Sequence, residues 1–184
     1  MTIRSSYSNT PVWRDIYVHA ILPEKLQFLD EMAHNLWWVW NGKAKSVFKR
    51  LDPEGWRKNH QNPVALLQNL TTERIEEILN DTEFFEEAHE AYRVFKDYMS
   101  KPYDTTRPSV AYFSMEYGLT HVLKIYSGGL GVLAGDYLKE ASDSCVDLTG
   151  VGFLYRYGYF SQSLSVDGQQ IANYEAQNFG TLPI

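Results

Sequence analysis

The chain has 184 residues, 44% hydrophobic, 15% aromatic and 22% charged, enough apolar material for a sizeable core and too much for a disordered or fibrous chain. Its net charge of -6 is carried by one stretch, Glu73 to Asp97, with nine acids against three bases. The balanced remainder holds no basic stripe for a phosphate polymer, which excludes a nucleic-acid binder.

Before residue 101 the pattern is helical. Leu22, Leu26, Leu29, Ala33, Leu36, Trp37 and Trp40 recur at steps of three and four, which predicts one helix from about Pro23 to Trp40, ended by Asn41-Gly42. Trp37 and Trp40 fall on its apolar face, and Trp38 points elsewhere as the one indole free for an exposed, sugar-stacking role. Helices are further expected at about 43–51, 63–70, 72–80 and 82–100, with Thr71 or Thr72, and Thr82, as N-caps. The acidic stretch interleaves its charges with Ile75, Ile78, Leu79, Phe84, Phe85, Ala88, Tyr92 and Phe95, the mark of a solvated face over a buried one.

A proline-bearing seam, Lys101 to Pro108, separates this helical zone from a second one. Ser109–Phe113 and Asp147–Tyr155 have the composition of buried strands, and Leu130 to Ser144 that of a helix burying Leu130, Leu133, Ala134, Tyr137, Leu138 and Ala141. Strand, glycine loop, helix and strand form a βαβ unit, whose crossover implies parallel pairing. Phe153, Tyr155, Tyr157 and Tyr159 alternate as along one strand face, and Asp167-Gly168 signals a hairpin. Asp136 and Lys139 are spaced for an intrahelical pair, and His121 is either a solvated loop residue or a phosphate contact.

No run approaches the ~18–20 apolar residues of a membrane helix, and no hydrophobic signal segment follows Met1, so a soluble cytoplasmic protein is expected. Cys145, the one cysteine, offers neither an internal disulfide nor a thiolate metal cluster and is expected to be a buried thiol; no metal-ligand spacing occurs.

The strongest chemical feature is Ser127-Gly128-Gly129-Leu130-Gly131 at the start of a predicted helix. A helix N-terminus presents unpaired N–H groups, and glycines let an anion approach them closely. The alternative is a tight turn that packs helix on strand. Gly129 to Ala134 also fits the dinucleotide pattern Gly-x-Gly-x-x-Gly/Ala, yet some fourteen residues separate the strand from the first glycine, which argues against a dehydrogenase; the P-loop pattern is absent. A long loop carrying Met115-Glu116-Tyr117-Gly118 and returning to a glycine cradle suits a sugar or a sugar phosphate.

Ala111 to Gly118, Ile125 to Lys139 and Gly150 to Phe160, three blocks in order, resemble the bacterial α-glucan (glycogen/maltodextrin) phosphorylases. Asn35 to Asn41, Leu51-Asp52-Pro53 and Asn62-Pro63-Val64 are similar to the helical N-terminal extension of that family's bacterial branch. The resemblance implies phosphorolysis of α-1,4-glucan by inorganic phosphate to glucose 1-phosphate, with pyridoxal phosphate as cofactor, carried by a lysine outside this chain. It implies an α/β fold in which residues 1–105 form a helical extension and 106–184 begin a Rossmann-like catalytic domain, one of two facing a cleft. Gly128, Gly129 and Gly131 would bind the cofactor phosphate, Leu130 and Tyr117 the substrate, and Glu116 would be the catalytic carboxylate. The full-length enzyme would be the active form, with homo-oligomerisation open; the chain alone is expected to be inactive, with apolar sheet faces that promote self-association. Gln169 stands where the family has an aromatic, Tyr137 where it has histidine, and Ser144 to Asp147 replaces a more apolar run. A nucleotide-sugar glycogen or starch synthase-type glucosyltransferase and a non-catalytic glycan-binding or interaction module are the alternatives.

Overall fold

The structure, a computed structural model, describes residues 21–184. The first half is a cluster of short helices: a 3-10 turn at Glu24–Leu26, α1 (Gln27–Ala33), a 3-10 turn at Leu36–Val39, α2 (Gly42–Leu51), α3 (Pro53–Lys58), α4 (Pro63–Gln68), α5 (Thr72–Leu79) and α6 (Thr82–Met99). The starts of α2 to α6 are written in the sequence as polar caps. Asn41, Asp52, Asn62, Thr71 and Asp81 accept the backbone N–H of Ala44, Gly55, Val64, Arg74 and Phe84, respectively, and proline stands at the first helical position of α3 and α4, where no N–H is needed.

Helices this short are marginal alone and depend on packing. Their buried faces meet in one core around Trp38, Phe48 and Trp56: Phe48 stacks on Trp56 at 6.1 Å between centroids, and Trp38 meets Phe48 and Trp56 edge-on at 6.5 and 6.2 Å. Outside it, Arg50 of α2 binds Glu87 at 2.9 Å, Glu83 at 3.2 Å and Asp81 at 3.4 Å, tying α2 to the acidic helix α6.

The single helix expected over Pro23–Trp40 is broken. His34 ends α1, and Asn35 caps a new 3-10 turn by accepting the Trp37 N–H at 3.0 Å. The tighter turn of the 3-10 geometry re-aims the side chains that follow. Trp38 is consequently buried, at 1% exposure, which overturns its expected exposed role; Trp37 is buried as well, and Trp40 only half-buried. The cap of α6 is Asp81 and not Thr82, and α3 is a helix that hydrophobic periodicity missed.

The second half holds β1 (Val110–Phe113), α7 (Gly129–Asp143) and β2 (Leu148–Val151), then the hairpin β3 (Ser161–Leu164) and β4 (Gln170–Asn173), and a 3-10 turn at Phe179–Thr181. β1 and β2 pair in parallel, Val110 opposite Leu148 and Phe113 opposite Val151, as the crossover implied. β3 and β4 pair antiparallel around Gly168, whose φ of 75° suits the turn.

Several expectations fail here for identifiable reasons. β2 stops at Val151, because Gly152 lies under the Tyr117 ring, where a Cβ would sit 2.8 Å from Cε2. Phe153 to Tyr159 therefore form no strand; Tyr157 makes an isolated bridge to Ala176. The buried side of α7 consists of Gly131, Ala134, Gly135 and Ala141, while Leu130, Leu133 and Tyr137 are exposed and Leu138 is half-buried. The small residues face inward because the 114–127 loop lies directly on the helix: the Gly118 N–H donates to the Gly131 carbonyl at 2.7 Å, and Gly135 abuts the Gly118 backbone. β1, expected to be buried, has three of its four residues exposed, and Phe113, Met115, Leu133 and Phe153 leave an open apolar face. Cys145 is half-buried, in a left-handed conformation with φ 53°.

The halves are joined by polar contacts. Asp143 accepts from Tyr98 at 2.6 Å and from the Trp40 indole at 3.1 Å, and Asn62 donates to the Thr181 carbonyl at 2.7 Å. The Gln68 amide donates to the Gly180 carbonyl at 2.9 Å.

Candidate functional site

The glycine loop meets Glu116 at the N-terminus of α7. The chain leaves β1 at Phe113, and Ser114 turns it by accepting the Glu116 N–H at 3.3 Å and donating to the Glu116 carbonyl at 2.8 Å. That turn sends the Glu116 side chain to the start of α7, where its carboxylate accepts the Ser127 N–H at 3.3 Å, with the Gly128 and Gly131 N–H groups also directed at it. Gly131 is required for this approach: a Cβ there would stand 2.5 Å from Tyr126 Cβ and 3.0 Å from Glu116 Oε2.

Tyr159 completes the cluster by donating its hydroxyl to Glu116 Oε1. This bond first, then those from the loop N–H groups, holds the Glu116 carboxyl below its ordinary value; the same bond raises the Tyr159 phenol. Glu116 is thus an ionised acceptor bound to the helix end, and Tyr159, assigned by alternation to a strand face, is a site residue that the sequence did not reveal. No short-range pattern links positions 43 residues apart.

Gly128 has no side-chain cap, and no acceptor among the described residues takes the N–H of Gly129 or Leu130. A Cβ added at Gly128 or Gly129 would meet nothing within 4 Å. The open side of the loop therefore offers two free backbone donors and room for a ligand, a donor set that suits a phosphate oxygen or a sugar hydroxyl. The Leu130 side chain beside them is 60% exposed. Tyr117 behaves differently: its ring is buried, and its hydroxyl donates to the Tyr112 carbonyl with the Val151 carbonyl 3.3 Å away, so it supports the sheet. Asp136 and Lys139 form the expected intrahelical pair at 3.8 Å, and His121 donates its Nε2–H to the His60 carbonyl at 2.6 Å. Among the described residues there is no group of three metal-ligating side chains, and no helix long and apolar enough to cross a membrane.

A strand and a crossover helix that place a glycine loop and a carboxylate at the helix N-terminus, beside a capped helical cluster, define a mixed helix-and-strand protein with an open glycine turn. The family described as a protein of unknown function (DUF3417) matches residues 22–123, and the chain belongs to it. Beyond that segment the likeness continues. The chain is 46% identical over 151 residues to a glycogen phosphorylase of Aquifex aeolicus, covering 80% of this chain and 21% of that protein. It is 40% identical over 174 residues to a maltodextrin phosphorylase of Thermococcus litoralis, covering 91% and 21%. It is 40% identical over 183 residues to a glycogen phosphorylase of Mycobacterium tuberculosis, covering 93% and 21%. The chain spans about a fifth of the length of these relatives, and its similarity is to their N-terminal portion.

Proposed function

We infer that the chain is the N-terminal part of a cytoplasmic α-glucan phosphorylase, which cleaves α-1,4-glucan with inorganic phosphate to give glucose 1-phosphate. The observation that carries this reading is identity of 40% or more to glycogen and maltodextrin phosphorylases over most of the chain, and the Glu116-bound glycine loop of this chain is consistent with it. The described residues up to 105 belong to the helical extension, and 106–184 open a Rossmann-like catalytic domain.

In this reading the open N–H groups of Gly129 and Leu130 hold anionic or hydroxyl oxygens at the loop, with Gly128 and Gly129 leaving space for the group and Leu130 against the sugar. Gly131 admits Glu116 to the helix end, and the ionised Glu116, fixed by Tyr159, keeps the loop in its donor-presenting shape. Its carboxylate also repels any second anion, so phosphate binds where cations from elsewhere in the enzyme offset that charge. Pyridoxal phosphate, held by a lysine outside this chain, supplies a phosphate group for proton exchange with the substrate phosphate.

The full gene product carrying this chain is the material for the test. Phosphate-dependent release of glucose 1-phosphate from maltodextrin supports the reading; glucosyl transfer from a nucleotide sugar with no phosphorolysis replaces it by the synthase alternative.

A further inference from the structure

A basic patch lies where α2 meets α3 and the turn that follows it. Lys45 and Lys49, one turn apart on α2, and Arg57 of α3 line an open cleft of about 730 Å³, together with Trp56, His60 and His121. Residues spaced by four on a helix stand about 5–6 Å apart at Cβ, so the two lysines present their charges side by side. The cleft has no acidic residue in its lining. Arg50, Lys58, Arg74, Arg93, Lys96 and Lys124 each have a carboxylate within 4 Å, whereas none is found for Lys45, Lys49 or Arg57 among the described residues.

The carboxyl of Glu54, three residues before Arg57 on α3, is lowered by Lys58 first and in part by the Arg57 charge, but no carboxylate lies within 4 Å of Lys45, Lys49 or Arg57 among the described residues, and like charges so gathered suit a ligand of opposite charge. The helix dipole accounts for Lys49 near the end of α2 and for Arg57 in the last turn of α3, but not for Lys45 in the middle of α2. The wall of the cleft is also held in an uncommon backbone. His60 and Gln61 are consecutive residues in the left-handed region, with φ 52° and 59°, and the His60 carbonyl is fixed by His121 from the second half of the chain. These two residues form the turn that ends α3, where the Gln61 N–H donates to the Trp56 carbonyl at 2.8 Å, so the wall of the cleft is a fixed piece of backbone.

We propose that this cleft binds a small phosphoryl anion, with Lys45, Lys49 and Arg57 as its charge partners, independently of the glycine loop. Arginine offers a planar fork that matches phosphoryl oxygens, and the paired lysines serve a second group or a doubly charged one.

Calorimetric titration of the 184-residue chain with inorganic pyrophosphate and, separately, with a hexose monophosphate tests this, the stronger of the two identifying a diphosphate or a monoester as the preferred form. One-to-one saturation is expected, weakened at least tenfold in the Lys49→Ala/Arg57→Ala double variant and less than twofold in the charge-matched Lys25→Ala/Lys101→Ala control. All substituted side chains are exposed, and circular dichroism checks that each variant is folded. Absence of saturation, equal weakening in the control, or binding of sulfate and citrate as tight as that of the phosphoryl compounds would overturn the proposal. Failure here leaves the phosphorylase reading intact, since no glycine-loop residue takes part.

Discussion

The Tyr159 hydroxyl donates to the Glu116 carboxylate, which in turn accepts the N–H groups at the start of α7. A residue 43 positions downstream therefore sets the state of the carboxylate that shapes the glycine loop. Tyr159→Phe removes the largest cause of the depressed Glu116 pKa, which is expected to move up toward the ordinary value of 4.5. Because the folded pKa is the lower one, the stabilisation from this contact is present above 4.5 and is lost as pH falls through the folded pKa. A carbon-detected NMR titration of the Glu116 carboxyl in both proteins measures the change; an unmoved pKa in Tyr159→Phe would refute the coupling.

The glycines of the loop separate into two kinds. Gly131→Ala forces a Cβ against Tyr126 and Glu116 and is expected to cost about 1–3 kcal/mol, as overpacking does. Gly129→Ala meets no atom within 4 Å and should alter stability by less than about 0.5 kcal/mol. In the full gene product, Gly129→Val should nevertheless reduce phosphorolysis at least tenfold, since its side chain enters the ligand's space. Chemical denaturation and steady-state assays compare the variants; a Gly129→Val enzyme with full activity would mean that the open side of the loop is unused.

Asn62 links the two halves. Its Oδ1 caps α4 through Val64 and Ala65 at 3.0 and 3.2 Å, while its Nδ2 reaches the Thr181 carbonyl. Asn62→Ala is expected to cost about 1–3 kcal/mol, from loss of the cap and of a buried partner. Asn62→Asp keeps the cap acceptor and loses only the donation, so in hydrogen exchange it should loosen residues 179–182 with little effect on α4. Equal exchange increases in both segments would contradict this division of roles.

Tyr98 sits at the other junction. Burial first, then its bond to Asp143, pushes its phenol up to about 12 from an ordinary value of 10. A raised folded pKa contributes stability that is whole below pH 10 and disappears as pH rises through about 12. Tyr92, Tyr117 and Tyr159 are also raised, so ultraviolet titration should show several late phenols, of which the one near 12 disappears in Tyr98→Phe; a titration unchanged in that variant would assign that phenol elsewhere.

Much of this fold was legible because local chemistry specified it. Hydrophobic periodicity marked most of the helices and Thr71 the start of α5, and the strand-loop-helix-strand spacing implied the parallel pairing of β1 with β2. The failures lie where tertiary contact outweighs pattern. Asn35 restarts the helix and turns Trp38 into the core, which periodicity cannot register. Small residues, not leucines, form the inner side of α7 because a loop, not a sheet, covers that face. At the site, the glycine loop and Glu116 were visible as a motif, but Tyr159 was not, since its partner is distant in sequence.

The central claim, that this chain opens an α-glucan phosphorylase, is tested most directly by supplying radiolabelled inorganic phosphate and maltodextrin to the full gene product and following the label. The account predicts label in glucose 1-phosphate, formed only with both substrates present and diminished in Gly129→Val. Label confined to inorganic phosphate, in a folded protein loaded with pyridoxal phosphate, would contradict it.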